Sequence, residues 1–76
     1  MIREHDCVVL TEDLAGAPIK AGDVGTVVHV HGAGKAFEVE VATLTGATVA
    51  VATALHSQVR PITSRDVSHV RELRTN

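Results

Sequence analysis

The sequence predicts a small, mainly β protein: five short strands closing into a strongly bent barrel, with a C-terminal tail. Three observations carry that expectation. Thirteen of the 76 residues are valine, whose branched β-carbon fits a pleated strand and loses rotamer freedom in a helix. Short apolar runs recur between glycine-bearing turns, the pattern of successive hairpins. Phe37 is the one aromatic residue, so the core is aliphatic. A chain of this length holds one domain, with residues 1–62 assigned to the barrel and 63–76 to the tail.

The elements follow in order. "HDCVVLT" gives a first strand over residues 5–11. The loop "AGAPIKAGD" cannot extend a sheet interior, because Pro18 lacks an N–H and Gly16 and Gly22 are permissive. "DVGTVVHVH" is the second strand, with Gly25 placed to permit a tight bend or bulge. "GAGKA" is a tight turn in which Gly32 and Gly34 take the positive φ that hairpins need. "AFEVEVAT", the third strand, alternates cleanly: Phe37, Val39 and Val41 face the core, Glu38 and Glu40 face water.

After a turn around Gly46, "TVAVATA" is the fourth strand, and both of its faces are apolar. Val49 and Val51 are assigned to the core, leaving Ala50, Ala52 and Ala54 outside. "LHSQ" is a short helical turn, and "QVRPI" a last strand ended by Pro61. The expected core is Val8, Val27, Phe37, Val39, Val41, Val49, Val51 and Val59. In the tail, Val67, Val70 and Leu73 recur every three residues, which favours a short helix capped by Ser64 over an extended segment.

"GDVGTVV" resembles the element that opens many SH3-like barrels, including the KOW modules of ribosomal proteins and transcription elongation factors. Over most of the chain, "EHDCVVLTEDL", "AGDVGTVVHVH", "FEVEVATLTGATVAVAT" and "SQVRPI" are similar, in order and spacing, to a family of short stand-alone bacterial proteins classed as a domain of unknown function. The resemblance implies a five-stranded SH3-like barrel and no catalytic residue, and it brings no function to carry over. Ala42 and Thr43 depart from it, standing where a second large apolar or aromatic residue is expected.

Composition excludes several classes. No apolar run approaches the roughly 18 residues of a membrane span, and "MIREHD" is acidic where a signal peptide would be basic and then apolar. The single cysteine, Cys7, forms no internal disulfide, so a soluble cytoplasmic protein is expected. Net charge is −2 but uneven. Residues 1–59 carry three basic side chains against seven acidic ones, while residues 60–76 carry Arg60, Arg65, Arg71 and Arg74 against Asp66 and Glu72. Nucleic-acid binding needs clustered cations and stacking aromatics, and this body offers neither. A KOW-like role through the basic tail is the alternative kept open.

Candidate chemistry is thin. His29 and His31 share a strand face and could touch one metal ion with Glu38, Glu40 or His5 as a third ligand. A structural zinc site needs a fuller set, so no metal or cofactor is assigned. Cys7 lies in an apolar run beside Asp6, which disfavours a thiolate, and reads as a buried, inert thiol. The glycines lack the spacing of a phosphate loop, no serine sits in a nucleophile elbow, and a barrel filled by its own valines offers little pocket. No catalysis is expected.

What remains is association. Small domains bury too little to be stable without added support, and this one has no disulfide and no assigned metal. Ala50, Ala52 and Ala54 are assigned to one side of a self-contact. The stripe of Val67, Val70 and Leu73 with Arg71 supplies the other, its arginines meeting Glu38 and Glu40 of a neighbouring copy. The expected state is a dimer or larger.

Overall fold

The computed structural model describes residues 1–73. Five strands, β1 (Cys7–Leu10), β2 (Val24–His31), β3 (Ala36–Ala42), β4 (Thr48–Leu55) and β5 (Val59–Pro61), form one antiparallel sheet in the order β4-β3-β2-β1-β5. A single 3-10 turn, His56–Gln58, links β4 to β5. No helix among the described residues is long and apolar enough to cross a membrane.

The turns form where the sequence places them. Gly32 and Gly34 have φ of 55° and 98°, and the intervening Ala33 is drawn into the same left-handed region at 58°. His31 O accepts from both Gly34 N–H and Lys35 N–H and so closes the β2–β3 hairpin.

The core contains Val8, Leu10, Leu14, Ile19, Val27, Phe37, Val39, Val41, Ala54 and Val59. Six of the eight expected members are there. Two corrections concern β4. Val51 is 53% exposed and Val49 is only partly buried, while Ala54 is fully buried and Ala50 and Ala52 pack against the core. Register explains the inversion. Phe37 opposes Ala54, Val39 opposes Ala52 and Val41 opposes Ala50, and directly opposed residues share a sheet face. Large residues on β3 therefore meet small ones on β4. Ala42 then pairs with Thr48, which leaves Val49 as the extra residue of a bulge.

A second bulge lies in β2 between Val27 and His29 and turns Val28 outward. The loop between β1 and β2 is part of the fold rather than a bare connection. Leu14 N–H donates to Ile19 O at 3.1 Å, and both side chains are buried.

The tail corrects the favoured helix. Residues 62–73 form no helix: a turn at Thr63–Asp66 is followed by chain with no regular secondary structure. Asp66 closes the turn by accepting from Thr63 N–H and, through both carboxylate oxygens, from Arg60 at 2.7 and 3.0 Å. The chain then reaches the β1–β2 loop, where Arg71 donates to both carboxylate oxygens of Asp23 at 2.6 and 2.8 Å and to Pro18 O at 3.2 Å. These distant anchors draw the segment out, and the valines have no local preference strong enough to oppose them. The last part of the stretch assigned to the helix, 74–76, lies outside the described residues.

Candidate interaction surface

β4 occupies one edge of the sheet and pairs on one side only. Its sequence, TVAVATAL, holds no charged residue and no proline, the devices by which exposed edges are normally blunted. The direction of its amide groups follows from its pairing with β3. His56 N–H donates to Lys35 O at 3.1 Å, continuing the ladder. Counting back in twos, Ala54, Ala52 and Ala50 direct N–H and C=O toward β3, and Leu55, Thr53 and Val51 direct theirs away. Leu55 N–H accordingly donates to Gln58 Oε1 at 2.8 Å, and Gln58 Nε2 donates onward to Glu12 Oε1. The outward amide groups of Val51 and Thr53 meet no partner among the described residues. Val51 and Leu55 are also more than half exposed, at 53% and 55%.

Behind this edge the outer face of the sheet is polar. Glu38 accepts from Thr53 Oγ1 at 2.6 Å and lies 2.8 Å from His31 Nε2. The Thr53 hydroxyl, and after it His31, hold the Glu38 carboxyl below its ordinary value. Glu40 accepts from Thr48 Oγ1 at 2.7 Å. Both acids on β3 are thus bonded to threonines of the edge strand, which fixes β4 from its outer face as well as through the ladder.

His29 and His31 do share a face, their rings 4.6 Å apart and edge-on. Their acidic neighbours differ, however. His31 pairs with Glu38, and His29 Nδ1 lies 3.6 Å from Glu4 Oε2, a residue that sequence spacing did not suggest. Among the described residues no group of three or more His, Cys, Asp or Glu side chains is arranged to hold a metal ion.

The other sequence-assigned residues are scattered. Ala54 lies in the core, and Ala50 and Ala52 pack against it partly buried, so all three turn their methyl groups to the inner face of the sheet. Val67 and Val70 are exposed at 90% and 68%, and Leu73 at 38%. Arg71 is tied to Asp23 of its own chain, which holds the Asp23 carboxyl below its ordinary value. Cys7 is exposed rather than buried, because Val8 and Leu10 take the inner face of β1. With Ile2, Asp6, Pro61 and Ile62 it lines an open depression of about 340 Å³.

A family model described as a domain of unknown function (DUF4926) matches residues 4–61, from just before β1 to the end of β5. No curated protein and no solved structure matches the chain.

Proposed function

Since the chain belongs to the family of domain of unknown function DUF4926, we propose from its geometry that it is a non-catalytic, SH3-like protein-interaction module of the bacterial cytoplasm that works by associating with further copies of itself. The observation that carries this reading is the β4 edge: eight residues without charge or proline, unpaired on one side, with outward amide groups at Val51 and Thr53. Such an edge is a template for another strand. The exposed Val51, Leu55, Val67 and Val70 add apolar surface that a partner would cover.

The KOW-like alternative, nucleic-acid binding through the tail, has weaker support. Arg60 and Arg71 are committed to Asp66 and Asp23, and Phe37, the aromatic residue that could stack on a base, is buried. Sedimentation of the full chain at micromolar concentration tests the proposal. The expected species has at least twice the 8.0 kDa mass of one chain. A monomer at every concentration, combined with salt-sensitive retention on nucleic acid, would reverse the order of the two readings.

A further inference from the structure

The free amide groups of β4 fix more than the existence of a contact. We infer that two copies pair β4 to β4, antiparallel about a two-fold axis at Ala52, making one continuous sheet of both chains. The inference rests on the self-association proposed above and specifies its geometry.

Antiparallel strands exchange hydrogen bonds only between residues whose amide groups both point at the partner. On the open side of β4 those residues are Val51, Thr53 and Leu55, and the Leu55 N–H is already held by Gln58. A register centred on Thr53 would set Leu55 against Val51 of the other copy and waste that donor. A register centred on Val51 would require Val49, which stands in the bulge. Centring on Ala52 sets Val51 against Thr53 of the second copy, and Thr53 against its Val51. Every outward N–H and C=O of these two residues then finds its complement without recourse to Leu55 or Val49.

Ala52 meets its own symmetry mate at the axis, in the closely spaced kind of pair with Cα atoms about 4.5 Å apart, where a methyl group fits. On the outer face, Val51 lies beside a threonine rather than beside another valine.

The self-complementary amide pattern favours a second copy as the occupant, and charge does not oppose it despite the acidic body. β4 itself is uncharged, so nothing repels at the seam. Glu38 and Glu40, the acids bonded to the threonines of β4, lie on β3. Two copies hold them at least three strand spacings apart, about 14 Å, which exceeds the Debye length of about 8 Å at physiological salt.

Proline scanning with sedimentation tests the edge. Thr53→Pro deletes an N–H aimed at the open side, which an edge strand tolerates. It should raise the dissociation constant at least about tenfold while the far-ultraviolet circular dichroism stays that of a β protein. Val51→Lys, at an exposed position, should do the same if the proline chain fails to fold.

Cross-linking in a Cys7→Ser background tests the register. Ala52→Cys should yield a disulfide-linked dimer under mild oxidation, and Ala50→Cys, which would face Ala54 of the second copy, should not. A dimer that survives both Thr53→Pro and Val51→Lys would overturn the edge pairing and leave self-association standing. Preferential cross-linking of the Ala50→Cys chain would overturn the register. A wild-type chain that stays monomeric throughout would remove the reading on which the inference rests.

Discussion

Gly25 is the position at which one added methyl group should do the most damage. It lies in β2 opposite Val8 on one side and Val41 on the other, buried between two strands. A Cβ there would overlap Val39 Cγ1, stand 2.9 Å from the Glu40 carbonyl oxygen and touch Val41 Cγ2 at 3.4 Å. The Glu40 oxygen is backbone held in the β3 ladder, so it has little room to yield.

Replacing glycine by alanine at an unstrained site stabilises a protein by about 0.4–1 kcal/mol, through the unfolded chain. Forcing a methyl group into a packed core costs about 1–3 kcal/mol. The second effect should win at Gly25, with a net loss of roughly 1–2 kcal/mol. A domain of this size loses about 4–8 °C of melting temperature per kcal/mol, so Gly25→Ala should melt about 4–16 °C lower.

Thermal and urea unfolding followed by circular dichroism would measure the loss. A double-mutant cycle with Val39→Ala isolates its cause. Removing Cγ1 of Val39 clears part of the overlap, so the pair should cost less than the two single changes added together. A Gly25→Ala chain that melts at or above the wild-type temperature, or costs that simply add, would refute the packing argument.

Three further outcomes are expected. Phe37→Ala removes the largest side chain of the core and should cost about 3–5 kcal/mol, enough to leave a domain this small largely unfolded; an unmoved melting curve would mean that the β3 faces are reversed. Glu38, Asp23 and Asp66 are held below their ordinary values by Thr53, Arg71 and Arg60 respectively. Lowered carboxyls contribute stability that is complete above their unfolded values of 4.5 and 3.8 and is lost as pH falls through the folded ones. The urea midpoint should therefore fall steadily as the pH drops below about 5, and a flat or rising midpoint would show that these pairs do not support the fold. Zinc or nickel should shift the melting temperature by no more than about 2 °C, since His29 and His31 each face a separate carboxylate; a larger rise abolished by His29→Ala would reveal a metal site.

The strands, their order along the chain and the inner face of β3 were legible in the sequence because charge broke the symmetry there. Glu38 and Glu40 can face only water, so Phe37, Val39 and Val41 had to face inward. No such marker exists on β4, where both faces are apolar. Choosing the larger valines for the core was wrong because register to β3, not hydrophobicity, settles which face turns in. Leu14 and Ile19 escaped notice because Gly16, Pro18 and Gly22 mark their segment as a loop, and a single bridge between two buried side chains leaves no period to read.

The tail misled for a related reason. A three-residue spacing of apolar side chains suggested a helix, yet its conformation is set by two ion pairs to the rest of the fold, Asp66 of the tail with Arg60 of β5 and Arg71 of the tail with Asp23. The β4 edge was foreseen only in outline. Small size without a disulfide or assigned metal suggested a partner, but the amide directions that single out Val51 and Thr53 depend on where the bulge at Val49 falls.

The large-against-small matching of β3 and β4 bears on how this sequence can drift. Phe37 with Ala54, Val39 with Ala52 and Val41 with Ala50 each fill one shared slot beneath the sheet. Enlarging the β4 member alone overfills the slot, and shrinking the β3 member alone empties it. Viable descendants should therefore change these sites in compensating pairs, with the two volumes trading against each other while their sum stays nearly constant. Val51, which fills no slot, is released from that bargain and is bound only by whatever lies against the edge, while Thr53 is also held by its hydrogen bond to Glu38.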